Sequence, residues 1–199
     1  MWKTIGIPVV IYLVFVFYIY QPSSTQNIPV AELIKQLPTD QVELYIHQHA
    51  PLAIQEMQRA KIPASITLAQ AILESKYGTS ELAQQANNHF GIKAGTEWGT
   101  VNRFCIHSDE WNPKKQKMIA VLSCFRKYSA IADCYENHSD FLTNRPYYTQ
   151  LFTLDIQNYK AWAEGLQKAG YATDPQYADK LIALIERYQL NECDQTITT

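Results

Sequence analysis

Ala64-Ser65-Ile66-Thr67-Leu68-Ala69-Gln70-Ala71-Ile72-Leu73-Glu74-Ser75-Lys76-Tyr77, entered through Pro63 and followed by Gly78, is the stretch on which the reading of this 199-residue chain turns. Proline suits the entry to a helix and glycine the left-handed position just past its end, so one helix is expected over 64–77. At 3.6 residues per turn, Ile66, Ala69, Leu73 and Tyr77 form an apolar stripe. Glu74 falls at the edge of that stripe, one turn beyond Gln70. Most helical glutamates are solvated surface residues. This one is expected to be partly desolvated, and it lies in the last turn, where the negative end of the helix dipole raises a carboxyl pKa. A carboxylic acid still protonated near neutral pH is what general-acid cleavage of a glycosidic bond requires.

The flanking pattern is mostly helical. Thr39-Asp40 offers an N-cap, with Val42, Tyr45, Ile46 and His49 at helical spacing, and a separate helix is expected over 51–60. Downstream, Thr79-Ser80-Glu81 caps a short helix and 91–99 is a loop. Strand-like runs follow at 101–107 and 117–125, then helices over 130–142, 159–168 and 175–190. The expected fold class is mainly α (α+β): an α domain with an inserted β-hairpin lobe, over 39–192. Residues 21–38 are read as a spacer and 193–199 as a tail. There is no internal repeat.

The first 20 residues bear on the compartment. Met1-Trp2-Lys3 precedes an uncharged, apolar run from Thr4 to Tyr20. Its length is at the short end of what spans a bilayer, and Trp2, Tyr18 and Tyr20 lie where interfacial aromatics are expected. A cleavable signal peptide competes with this reading, but no small-x-small cleavage site follows. An N-terminal transmembrane anchor, with the remainder of the chain facing outward, is the expectation.

Composition narrows the partners. Seventeen Lys plus Arg against 19 Asp plus Glu give a formal charge of -2, so the basic footprint of a nucleic-acid binder is missing. Thirteen tyrosines and four tryptophans suit either a core or a carbohydrate groove, where an amphipathic ring stacks on a sugar face. The five histidines have no metal-helix spacing and no H-E-x-x-H is present, so neither a metal nor a cofactor is expected. Cys105 and Cys124 are equidistant from a turn near Pro113-Lys114 and are expected to pair across the hairpin. Cys134 with Cys193 would then staple the tail, buried thiols being the alternative.

A second carboxylate is offered by Ser108-Asp109-Glu110-Trp111, before the turn of the hairpin. Acidic pairs beside turns are commonly solvated. The functional reading has the hairpin fold over a groove and bring Glu110 or Asp109 opposite Glu74, as glycosidases flank the scissile bond with two carboxyls.

Several motifs together carry a family resemblance. These are 70–83 with Asn87-Asn88-His89-Phe90-Gly91-Ile92-Lys93, then Phe125-Arg126-Lys127-Tyr128, then Phe141-Leu142 with Tyr147-Tyr148. The last is Gly170-Tyr171-Ala172-Thr173-Asp174-Pro175-Gln176-Tyr177-Ala178-Asp179-Lys180-Leu181. In this order they resemble the bacterial endo-β-N-acetylglucosaminidases (glycoside hydrolase family 73), which include the flagellar rod-cap hydrolase and many autolysins. The resemblance runs from about Thr39 to Leu190. It implies a lysozyme-like fold, a bacterial cell-envelope setting, and hydrolysis of peptidoglycan after N-acetylglucosamine. It further implies Glu74 as catalytic acid, Glu110 as the β-lobe acid and Tyr171 as a groove tyrosine tied to catalysis. Asn88, Phe90 and Gly91 match the turn under the groove floor, and Tyr77, Asp109, Trp111 and Tyr177 are taken as further substrate-binding residues. Two departures stand out: His89 replaces an apolar residue, which would alter a subsite, and Asp109-Glu110-Trp111 departs from the common threonine-x-glutamate-tyrosine pattern. The rival readings are a lytic transglycosylase, which leaves an anhydro end, and a non-catalytic wall-binding scaffold.

Overall fold

The computed structural model describes residues 29–112 and 117–196. The run read as an anchor, residues 1–20, lies outside the described residues, as does the expected hairpin turn at Pro113-Lys114. Among the described residues no helix is long and apolar enough to cross a membrane.

In chain order the elements are α1 (Val30–Lys35), α2 (Thr39–Ala60), α3 (Ala64–Ser75), α4 (Glu81–Ala86), β1 (Arg103–Asn112), β2 (Lys117–Arg126), α5 (Ile131–Thr143), α6 (Tyr159–Lys168) and α7 (Tyr177–Tyr188). Short 3-10 turns occupy Thr96–Trp98, Pro146–Thr153 and Leu190–Thr196. The mainly helical class with one small antiparallel sheet is the expected one. The boundaries differ in instructive ways.

The two helices expected on either side of Pro51 are one. Pro51 sits inside α2 and removes an intrahelical hydrogen bond, a local cost that ordinarily breaks or kinks a helix. Yet Val42, Tyr45, His49, Ala53, Met57 and Ala60 are buried along α2 at helical spacing straight through the proline. Burial of that continuous face outweighs the lost bond.

Helix α3 is more deeply placed than an amphipathic stripe implies. Ala64 through Ile72 and Ser75 are all buried, and α3 packs against α2, α6, α7 and the 190–196 turn. A helix apolar nearly all round belongs inside a core. Only Leu73 and Glu74 are half-buried, so the acid stands where the central helix surfaces. The helix ends two residues before the expected Tyr77: Lys76, Tyr77 and Gly78 all take positive φ, at 55°, 46° and 80°. Ser75 holds this left-handed turn, its hydroxyl donating to the Ala71 carbonyl at 2.6 Å and accepting the Gly78 N–H at 2.7 Å.

Two segments read as peripheral fold onto the core. Within 21–38, α1 buries Ile34 and is held by Arg187, whose guanidinium donates to the carbonyls of Ile34 and Leu37. Near the C-terminal end Asp194 is buried. It accepts the Ser65 backbone N–H at 2.8 Å and the Ser65 hydroxyl at 2.6 Å. Helix α3 has no side-chain cap of its own at Pro63, so this carboxylate satisfies its first turn from across the chain.

The hairpin is antiparallel with Cys105 opposite Cys124, and the two form a disulfide as expected. Phe104, Ile106 and Phe125 make a second small core with Leu82 and Ala86 of α4. The proposed Cys134–Cys193 bridge is not formed. Cys134 is fully buried in α5, where its sulfur accepts the His89 backbone N–H at 3.3 Å, and both residues remain thiols.

Candidate active site

Glu74 is half-buried at the end of α3, and the groups around it come from three distant segments. The Tyr177 hydroxyl, at the start of α7, donates to Glu74 Oε1 at 3.3 Å. The Gln70 side-chain amide, one turn earlier on α3, donates to that same hydroxyl at 2.9 Å. From the loop after α4, Gly91 lies below the other oxygen: a Cβ added there would stand 3.9 Å from Oε2. Burial pushes the Glu74 carboxyl well above the ordinary carboxylate range. The Tyr177 hydrogen bond opposes that shift, and the negative charge of Asp174 adds to it. Asp174 is itself paired with Lys180 at 2.5 Å.

Tyr171 and Tyr177 stack at 5.6 Å between ring centres with an 18° interplanar angle, and both are buried. They differ in their polar ends. Tyr177 reaches the acid, whereas the Tyr171 hydroxyl is buried with no hydrogen-bond partner among the described residues. Burial and the Glu74 charge both hold the Tyr171 phenol well above its usual range, so it stays a neutral donor. Tyr177 is thus packed beneath the acid and presents no face to solvent, unlike the groove residue expected. Tyr77 is half-buried on the left-handed turn just past Ser75.

The 88–92 loop is the floor. Asn87 closes α4 in the left-handed conformation at φ 51°. Asn88 is 1% exposed; its amide donates to the carbonyls of Ile92 and Arg126 at 3.0 and 2.8 Å and its oxygen accepts the Ile92 N–H at 3.1 Å. These bonds tie the loop to the end of β2 and fix Gly91 at φ 63°. Phe90 is buried beneath, stacked on His138 at 3.9 Å. Asn88 and Phe90 therefore shape the floor from below.

His89 is buried beneath the loop. It is 4% exposed, and its Nδ1 is hydrogen-bonded to the Tyr45 hydroxyl at 2.6 Å on the core side of the loop. The departure from an apolar residue is absorbed by a buried aromatic and histidine cluster with Tyr45, His49 and Tyr135.

Asp109, Glu110 and Trp111 lie on β1 near the hairpin tip, in register with Ala120, Ile119 and Met118. Their side chains lie outside the described residues, so the pairing of Glu110 with Glu74 stays an expectation. The sequence reading gave no role to Gln70, Ser75 or Asp174. Gln70 carried a signal all the same, being four residues before Glu74 and so on its face of the helix.

A cleft of about 290 Å³ opens elsewhere, between α5 and the base of the hairpin, with Trp98, Tyr128 and Asn137 in its walls; Glu74 is not among them. Among the described residues no group of three or more His, Cys, Asp or Glu side chains could hold a metal ion. The chemistry these groups can perform is proton donation from a desolvated carboxyl above a glycine floor.

Comparison with known proteins places the chain in a family. A family model described as mannosyl-glycoprotein endo-beta-N-acetylglucosaminidase matches residues 50–190. The exo-glucosaminidase LytG of Bacillus subtilis is 43% identical over 136 residues, covering 66% of this chain and 46% of that protein. The peptidoglycan hydrolase FlgJ of Pseudomonas aeruginosa is 32% identical over 149 residues, covering 73% and 36%. This chain thus spans less than half the length of either relative. Among solved structures, the catalytic domain of the autolysin Auto from Listeria monocytogenes superposes with a TM-score of 0.69 at 29% identity, covering 82% of this chain and 94% of that one. A C-terminally truncated glycoside hydrolase domain of Salmonella typhimurium FlgJ gives 0.60 at 29% identity, covering 74% and 97%.

Proposed function

The chain belongs to the endo-β-N-acetylglucosaminidase family, and from that premise we propose that it is a peptidoglycan hydrolase cutting the glycan strand after N-acetylglucosamine, with Glu74 as general acid. The observation that carries this reading is the half-buried Glu74 carboxyl, held above the usual carboxylate range by burial and bonded on one oxygen by Tyr177.

In the proposed reaction Glu74 gives its proton to the glycosidic oxygen as the bond to the anomeric carbon breaks. The oxocarbenium-like centre is then met by water activated by Glu110, or by the N-acetyl oxygen of the substrate with Tyr171 assisting. The first route inverts the anomeric configuration and the second retains it. The relatives named as peptidoglycan hydrolases support a cell-envelope setting. There the uncharged 4–20 run would serve as the inner-membrane anchor, with the domain facing the wall.

Digestion of purified peptidoglycan, followed by borohydride reduction and mass spectrometry, tests the bond. New reducing ends on N-acetylglucosamine are expected. Anhydro-muramic acid ends would mean a lytic transglycosylase, and binding without cleavage would mean a wall-binding scaffold. Because the similar LytG is named an exo-glucosaminidase, product length matters too: internal cutting predicts a broad early ladder, end cutting a steady release of small fragments.

A further inference from the structure

We propose that Gln70 is a positioning residue for the acid step: it commits the Tyr177 hydroxyl hydrogen to Oε1 of Glu74 and so leaves the acidic proton on Oε2, over Gly91. The inference rests on the reading of Glu74 as the acid.

A phenol carries one hydrogen. The Gln70 amide donates to the Tyr177 oxygen at 2.9 Å and so occupies a lone pair, leaving the hydrogen for Glu74 Oε1, 3.3 Å away. Both Gln70 and Tyr177 are fully buried, and the Tyr177 ring is stacked on Tyr171, which holds its orientation. With Oε1 accepting, a proton on Glu74 resides on Oε2. Beside that oxygen is Gly91, where even an added Cβ would stand 3.9 Å away.

A second observation argues that the amide orientation matters in itself. The Gln70 Oε1 atom is buried and has no hydrogen-bond partner among the described residues. An unpaired buried carbonyl oxygen costs stability and calls for an explanation. A Gln70 that served packing alone would be better replaced by an apolar residue of the same shape. With the opposite amide orientation Tyr177 would donate to Gln70, and Glu74 would then turn its proton inward to Tyr177.

The proton balance is simple. The Oε2 proton passes to the glycosidic oxygen, whose bond to the anomeric carbon breaks with the electron pair leaving on oxygen. The Tyr177 hydrogen stays on Tyr177. Its bond to Oε1 strengthens as the carboxylate forms, an interaction stronger after transfer than before, which is what accelerates a step. It also offsets part of the upward push that burial and Asp174 exert on the Glu74 carboxyl.

The test uses the full chain with Gln70→Met, Tyr177→Phe and the double variant. Carbon NMR titration follows the Glu74 carboxyl, identified by its loss in Glu74→Gln, alongside pH profiles of kcat on peptidoglycan. Tyr177→Phe should raise the Glu74 midpoint, move the basic limb of the profile with it, and lower kcat about tenfold with KM little changed, as loss of one hydrogen bond at the reacting acid implies. Gln70→Met should act in the same direction to a smaller degree, because Tyr177 then donates without the amide behind it. The double variant should move no further than Tyr177→Phe, since Gln70 acts on Glu74 only through the Tyr177 hydroxyl. A Gln70→Met midpoint equal to the unaltered protein, whether or not Tyr177→Phe moves it, overturns the proposal. Should Gln70→Met fail to fold, an unmoved midpoint in Tyr177→Phe overturns it instead, and a raised one supports it. The NMR arm reads the relay even in a protein without activity on peptidoglycan, so failure of the functional reading is distinguishable.

Discussion

Asp194 grips Ser65, accepting its backbone N–H at 2.8 Å and its hydroxyl at 2.6 Å, and thereby ties the last 3-10 turn to the first turn of the helix that carries the acid. Asp194→Ala leaves both buried donors unsatisfied. The expected loss is about 2–4 kcal/mol of unfolding free energy, measured by urea denaturation. Asp194→Asn, which keeps one acceptor, should lose less.

Glu74 opposes folding at neutral pH. Burial first, and the Asp174 charge, raise its folded-state pKa above the unfolded value of 4.5, with the Tyr177 bond acting the other way. A raised acid contributes stability that is fully present below 4.5 and lost as pH rises through the folded pKa. Glu74→Gln should therefore be more stable than the unaltered protein near pH 7, and the gap should close in acid below about 4.5. Thermal denaturation at several pH values reads the difference, and the comparison cancels Asp194, which is also raised by burial.

His138 is a liability in acid. Burial lowers its pKa from 6.5 to about 3, and neither ring nitrogen has a hydrogen-bond partner among the described residues. The unfolded chain takes up a proton near 6.5 that the folded one refuses until about 3, so stability falls as pH drops through that window. His89, lowered to about 4 by burial and then by the His49 charge, acts in the same direction. His138→Phe keeps the stack on Phe90 and removes two buried unpaired nitrogens. It should flatten the acid limb of the stability curve and gain up to about 1 kcal/mol at neutral pH.

The hairpin depends on its staple. A two-stranded ribbon is marginal by itself, and Cys105 and Cys124 close a loop with a sequence separation of 19. The chain-entropy estimate for such a loop is about 3 kcal/mol. Replacing both with serine should lower the unfolding free energy by roughly that amount. If Glu110 works from this hairpin, kcat should fall as well.

Local pattern made much of this fold legible. The acid at the end of α3, the Ser80 cap of α4, the cross-hairpin disulfide and the α6 boundaries all follow from spacing and cap chemistry within a few residues. Sequence alone divides helix α2 because Pro51 is a strong local breaker, while the buried stripe from Val42 to Ala60 that overrides it is a tertiary effect. The three successive positive-φ residues after Ser75 were hidden for a related reason: Lys76 and Tyr77 are poor left-handed residues, and only the Ser75 hydroxyl and the surrounding packing hold them there. What sequence could not show is which tyrosine touches the acid. Tyr171 and Tyr177 stand six residues apart in one motif, and only α7 packing on α3 gives Tyr177 the hydrogen bond and leaves Tyr171 without one.

The most direct measurement is the turnover of Glu74→Gln on purified peptidoglycan beside the unaltered protein, with thermal denaturation of both. Glu74 as the general acid predicts a loss of about a thousandfold or more in kcat, within the range that general-acid catalysis supplies, from a variant that is folded and at least as stable at pH 7. A folded Glu74→Gln protein that keeps kcat within about tenfold would contradict it and move the acid to another residue.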